Sequence, residues 1–454
     1  MRKTSYALAL LAAAALAACG GNGPSAGNQT FATKYSQQVV FGDSLSDVGT
    51  YAVGGIALMG GGTYTINGNN TSVNPELTGK NYTTLIAAQL GLPVPCAAQT
   101  GLMGTASTNP ALNFSVPVTF QANCFNYAQG GARVTEAIGP GNAALAAPGA
   151  LTIGATTVPV VTQIANHLKK VGGKFKGDEL VIVMAGGNDA LELLGELTAG
   201  ATKAGGAALA QSLLQQLVPG TTNPATAQGV ILNAIQTQAA KSSDATAIIQ
   251  AAIGAAATQG NTAAVANAAT IGATAGAAAQ AAGLKFQSDN AASLVTKMGT
   301  AGAQLGVLVE QQIVANGATH VVVNNLPDVS ISPSALAQSA DTQKLIATMV
   351  STFNAQLKSA VASDAKVLYV DLATISHDQA TNPAPYGLTN TTTPACDLSA
   401  AKNPLGSSLV CTGKNLIAGD VSHYMFADSV HPTPFEYALI ARYVLEQMSV
   451  KGWL

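Results

Sequence analysis

Five short runs rich in β-branched residues, at 38–41, 124–128, 180–185, 320–324 and 367–370, constrain this chain more than any other feature. Each is too short for a helix that stands alone, is apolar at nearly every position, and closes on turn-forming residues, which is the pattern of a strand buried on both faces. Between them lie stretches of helical periodicity at 82–90, 158–170, 334–362 and 434–448. Strands that alternate with helices predict an α/β architecture: a parallel five-stranded sheet with helices over both faces. In open sheets of this kind ligands collect beyond the carboxyl ends of the strands, so the residues just after each run are where chemistry is expected.

One stretch breaks the rhythm. Residues 199–284 are dominated by Ala, Gly, Thr, Gln and Asn. Alanine favours helix and glycine interrupts it, so this reads as an Ala-rich helical insertion, either a surface excursion or a lid over the site. Charged residues make up only 9% of the chain, against roughly 25% in an ordinary globular protein, and 20 Lys+Arg face 22 Asp+Glu for a net charge of −2. No clustered basic surface is visible, so a nucleic-acid partner is not expected. Past the first twenty residues no run of about 18 strongly apolar residues occurs, and a transmembrane bundle is not expected.

The N-terminus reads as a targeting segment. Met1-Arg2-Lys3 is positive, 6–18 is apolar over the length of a signal-peptide core, and Leu16-Ala17-Ala18-Cys19-Gly20 follows. That ending resembles the lipobox of bacterial lipoproteins, which implies cleavage of a 1–18 signal peptide and acylation of Cys19. The resemblance favours anchoring to the outer membrane, on its periplasmic or surface face; a secreted protein with an ordinary leader is the alternative. Residues 19–36 read as a flexible tether. The remaining cysteines, Cys96, Cys124, Cys396 and Cys411, are even in number in an exported chain, which fits two disulfides. Of three possible pairings the local ones, Cys96 with Cys124 and Cys396 with Cys411, are favoured because each clips a loop without strong strand or helix pattern. Paired metal-ligand spacings are missing, and no metal site or cofactor is expected.

Four motifs follow the runs. Phe41-Gly42-Asp43-Ser44-Leu45-Ser46-Asp47 leaves the first, setting a serine hydroxyl at the carboxyl edge of the sheet. Asn126-Tyr127-Ala128-Gln129-Gly130-Gly131-Ala132 brings glycine N–H groups close to a ligand, and Gly186-Gly187-Asn188-Asp189 adds a side-chain donor. Near the C-terminus Asp428-Ser429-Val430-His431-Pro432 sets an Asp three residues before a His, where it can orient the imidazole. Each alone is an ordinary turn; their order and placement together are specific.

Together with Asn324-Asn325-Leu326-Pro327-Asp328, these blocks resemble those of the GDSL, or SGNH, family of serine esterases and lipases. The resemblance covers most of 37–449 apart from the insertion, within a domain expected over 37–454, and implies a flavodoxin-like three-layer α/β/α sandwich. Carried over residue by residue, Ser44 is the nucleophile, His431 the general base and Asp428 its orienting partner. The oxyanion is held by the N–H groups of Ser44 and Gly131 and the Asn188 amide, with Gly130 as the alternative donor. His423 is the competing base and is read as a surface or supporting residue, and His167, His320 and His377 as structural. The implied activity is hydrolysis of carboxylic esters through an acyl-serine, with an ester or lipid substrate and a monomeric enzyme. The same residues would serve an acyltransferase, and a lipid-anchored binding protein without turnover is the reading from a different class.

Overall fold

Valine and its apolar neighbours fill the central strands: β1 (Gln38–Gly42), β4 (Leu180–Met184), β5 (His320–Asn324) and β6 (Val367–Val370), with the hairpin β2 (Gln99–Met103) and β3 (Ser115–Phe120) lying between the first two in sequence. The structure, a computed structural model, describes residues 33–68, 74–103, 113–145 and 152–454. The leader, Cys19 and the tether as far as residue 32 lie outside the described residues. Helices of eight or more residues are α1 (Tyr82–Gln89), α2 (Val160–Lys170), α3 (Gly187–Leu217), α4 (Pro224–Lys241), α5 (Ala245–Thr258), α6 (Ala268–Leu308), α7 (Ala340–Val361), α8 (Leu372–Thr381) and α9 (Pro434–Val450).

β1, β4, β5 and β6 pair in that order, all parallel. Their side chains alternate between faces, as the two-residue period of a strand requires. Val39, Phe41, Val181, Val183, Val321 and Val323 meet Ile164 of α2, Leu193 of α3, Met298 and Leu305 of α6, and Met349 and Phe353 of α7. Val40, Ile182, Met184, Val322 and Val370 meet Tyr82 and Ile86 of α1 and Tyr437, Ile440 and Val444 of α9. These are the two outer layers of an α/β/α sandwich.

The run at 124–128 departs from the expectation of a fifth regular strand. It lies beside β1 in parallel sense but forms only an isolated bridge, Val40 with Asn126. Val40 N–H donates to Phe125 O (3.0 Å) and Tyr127 N–H to Val40 O (2.8 Å). Gln129 N–H continues the contact to Gly42 O (3.1 Å), but the Gly42 N–H that would answer Tyr127 O goes to Gln163 Oε1 (2.9 Å), so no regular ladder forms. The Asn126 side chain takes the Ala128 N–H (3.1 Å) and donates to Ser46 O (2.8 Å), and the Cys96–Cys124 disulfide ties the start of the run to its outer neighbour. Counting this edge, the spatial order of the five runs is second, first, third, fourth, fifth, the flavodoxin-like order. The antiparallel β2–β3 hairpin was not among the sequence expectations; its pattern is broken by Gly101 and Pro117, and β3 is largely exposed.

The insertion is helical, and its limits at 199 and 284 fall inside α3 and α6. These helices, 31 and 41 residues long, begin or end in the main core and run on past it. Their extensions pack with α4 and α5 around a separate core that includes Leu213, Leu217, Ile231, Ile253 and Ile271. Small residues allow close approach: a Cβ on Gly205 would lie 3.0 Å from Ala279 O. No helix of the described residues is long and apolar enough to cross a membrane.

Candidate active site

β1 delivers the site. Gly42 lies against β4 so closely that a Cβ there would sit 2.2 Å from Met184 O. Gln163 of α2 holds this strand end on both sides, accepting from Gly42 N–H (2.9 Å) and donating to Gly42 O (2.9 Å). In the turn that follows, Asp43 Oδ1 accepts the Leu45 N–H (3.1 Å) and Asp43 O accepts the Ser46 N–H (3.1 Å). Ser44 thus projects from the carboxyl edge of the sheet while remaining only 8% exposed.

The second half of the site arrives from the far end of the chain. A tight loop ahead of α9 is closed by Ala427 N–H to His431 O (2.7 Å) and Thr433 N–H to Met425 O (3.0 Å). Thr433 caps α9, with Pro434 in its first turn. His431 Nε2 lies 2.9 Å from Ser44 Oγ, and His431 Nδ1 lies 2.7 Å from Asp428 Oδ2 and 2.9 Å from Oδ1. A carboxylate only accepts, so Nδ1 carries a proton toward Asp428, and in the neutral tautomer this leaves the Nε2 lone pair facing Ser44. Asp428 also accepts N–H bonds from Val430 (2.9 Å), His431 (2.8 Å) and Ser408 (2.6 Å). Burial alone would raise its pKa; the charge and hydrogen bond of His431, with the Ser408 contact, more than reverse this and hold the carboxyl well below its ordinary range. The Tyr64 ring packs on His431, centroids 4.8 Å apart.

The glycine alternatives separate in space. Gly130 N–H donates to Asp47 Oδ2 (3.0 Å), whose other oxygen takes the Gly49 and Thr50 N–H groups (both 2.8 Å). Gly131 has φ +83°, and a Cβ there would lie 2.5 Å from Pro140 O. Neither Gly131 N–H nor Ser44 N–H donates to an acceptor among the described residues. Asn188, in the first turn of α3, uses one amide hydrogen on Ala132 O (2.9 Å) and keeps the other. Its neighbour Asp189 binds Arg133 Nε (3.1 Å) and Val134 N–H (3.0 Å), clamping the glycine loop to α3. Sequence reasoning missed Gln163, Tyr64, Ser408 and the Arg133–Asp189 pair; of these only Asp189 lay inside a recognised block.

Buried carboxyls crowd the nucleophile turn. Burial raises Asp43 to about 7, against the Leu45 N–H bond and the charge of His431. It raises Asp47 to about 6, against its three N–H donors. The other histidines stand apart from Ser44. His167 is fully buried among Phe41, Tyr127 and Phe175 and pushed down to about 4 by burial, then by Lys170. His320 contacts Tyr35 and Trp453, and His377 pairs with Asp328 at 2.8 Å. Asp420 precedes His423 at the same offset as Asp428 precedes His431, so that offset does not distinguish them. The fold does: the His423 ring lies edge-on to Phe435, and Asp420 accepts the Ser422 N–H (3.0 Å). Both expected disulfides, Cys96–Cys124 and Cys396–Cys411, are formed. Among the described residues no cluster of three or more His, Cys, Asp or Glu is arranged to hold a metal.

Two cavities meet at Ser44 and His431. One of about 530 Å³ extends along the start of α3, and one of about 210 Å³ lies on the side of Tyr64 and Gly131. Of the insertion, only Ala199 lines the larger one.

The family match addresses mainly the second half of the chain. Residues 223–444 match the family described as GDSL-like Lipase/Acylhydrolase, a span that holds Asp428 and His431 but not Ser44. A GDSL esterase/lipase of Arabidopsis thaliana is 34% identical over 83 residues, 18% of this chain and 22% of that protein. A second from the same plant is 30% identical over 135 residues, 28% of this chain and 36% of the relative. GDSL esterase/lipase APG is 26% identical over 148 residues, 30% of this chain and 41% of its own length. This chain therefore covers less than half of each of these relatives. The family match over 223–444 and the parallel α/β/α sandwich point the same way: this chain is similar to the GDSL lipase/acylhydrolase family.

Proposed function

We propose that this protein hydrolyses carboxylic esters through an acyl-serine intermediate. The observation that carries the reading is the unbroken hydrogen-bond chain from Ser44 Oγ through His431 to Asp428. Ser44 Oγ attacks the ester carbonyl carbon as its proton passes to His431 Nε2, and Asp428 stabilises the resulting imidazolium. The carbonyl oxygen becomes an oxyanion, held by Ser44 N–H, Gly131 N–H and the remaining amide hydrogen of Asn188. His431 then returns the proton to the alkoxy oxygen as its bond to carbon breaks, and the alcohol leaves. Water repeats the sequence: its proton goes to His431, its oxygen adds to the acyl carbon, and Ser44 leaves with the proton restored.

The N-terminal sequence supports a companion proposal, that Cys19 is lipidated and tethers the domain to the outer membrane. Turnover of a short-chain chromogenic ester tests the catalytic reading. With folding verified by circular dichroism, Ser44→Ala and His431→Ala are each expected to lower kcat by about a thousandfold or more. A Ser44→Ala protein that keeps wild-type turnover would refute it.

A further inference from the structure

We propose that the larger cavity is an acyl-chain cleft for a saturated chain of roughly ten to twelve carbons, and that Gly195 sets how far along it the chain can reach. The proposal deepens the esterase reading and rests on it for the identity of the bound group.

The cleft begins at Ser44 and follows one face of α3. Asn188, Leu191, Gly195 and Thr198 recur at three- and four-residue spacing, the period of a single helix face. From Asn188 to Thr198 that face runs about 15 Å at the rise of an α-helix, the length of an extended chain of ten to twelve carbons. Leu194 flanks it, Ala335 and Ile346 form the opposite wall, and Gln287 of α6 stands among the lining residues. Leu191, which also borders the smaller cavity, is 39% exposed, a large apolar side chain available to a ligand. The charged or titratable lining residues are Asp43 and His431, both beside Ser44, so the length beyond them suits a hydrocarbon.

Gly195 is the telling position. It lies inside a long helix, where glycine is less favourable than any other residue but proline. No close approach explains it, because a Cβ built there meets nothing within 4 Å. What the missing side chain leaves is open cleft. The acyl group is also the part that must stay bound after the alcohol departs, and each methylene it buries strengthens binding about fourfold. The smaller cavity, beside Tyr64 and Gly131 and about 210 Å³, then takes the leaving alcohol.

The test compares nitrophenyl esters from acetyl to hexadecanoyl in the full chain and in Gly195→Phe, alongside calorimetric binding of dodecanoate to Ser44→Ala and to Ser44→Ala/Gly195→Phe. In the wild type kcat/KM should climb to ten or twelve carbons and then level off. Gly195→Phe should lower the dodecanoyl-to-butyryl ratio of kcat/KM at least tenfold and weaken dodecanoate binding at least tenfold. An unchanged ratio with Ser44-dependent turnover intact, or no dodecanoate binding to Ser44→Ala, overturns the cleft assignment. Dodecanoate binding that Gly195→Phe weakens, in a protein without Ser44-dependent turnover, upholds the cleft and refutes the hydrolase reading instead.

Discussion

At the scale of single residues, the site is built from side chains the sequence announces and fixed by contacts it conceals. Ser44, Asn188 and His431 are legible because each lies among turn-forming residues just beyond a strand or before a helix. Gly130 and Gly131 are not separable by sequence: the choice depends on Asp47, 83 positions away, taking the Gly130 N–H. Gln163 is hidden for the same reason, gripping Gly42 across 121 positions. Asp43 carries a testable electrostatic consequence. Its folded pKa is about 7 and its unfolded value 3.8, so the folded state holds a proton that the unfolded chain releases. That contribution to stability is complete below pH 4 and is lost as pH rises through 7. Asparagine keeps the acceptor for Leu45 N–H without the charge. Asp43→Asn should therefore match wild-type stability in urea at pH 4 and exceed it at pH 8 by on the order of 4 kcal/mol. A stability difference that does not change between those pH values would contradict this origin of the shift.

At the scale of elements, apolar period and turn chemistry located the central strands and four of the helices, with ends displaced by a few residues as fraying caps lead one to expect. The 124–128 run has the composition of a strand, but the Gly42 N–H that its ladder needs goes to Gln163, so only a bridge forms. The β2–β3 hairpin escaped notice because an exposed strand lacks the burial pattern that marks an interior one. The loop closed by Cys396–Cys411 has a role that the disulfide count alone does not reveal. It presents Ser408 N–H to Asp428 Oδ2, and Cys396 N–H bonds to Ala427 O (2.9 Å), one residue before the carboxylate. Replacing both cysteines by serine should lower stability by about 3 kcal/mol for a loop of this length. It should also reduce kcat more than it changes KM, because Asp428 loses a fixed donor while the substrate cavities are kept. Urea unfolding and ester kinetics check the two parts, and an unchanged kcat would dissociate this loop from the orientation of Asp428.

At the scale of the molecule, the order of the five runs brings the nucleophile turn, the glycine loop and the α3 N-terminus to one edge, and α9 delivers the last loop to the same place. The sheet and its two helical layers were readable from strand–helix alternation. The course of the Ala-rich insertion was not, because small residues specify helix and close approach without specifying a partner. It proves to be an outgrowth of α3 and α6 with its own core, whose base alone reaches the cleft. On the proposed reading this topology makes Ser44 a nucleophile by bringing it to His431 across 387 positions. Labelling the folded full chain with a fluorophosphonate, followed by mass spectrometry of its peptides, tests the role of Ser44. The expected result is one adduct, on Ser44, lost in urea and slowed about a thousandfold in His431→Ala. An adduct on another residue, or equal labelling of Ser44→Ala, would contradict it.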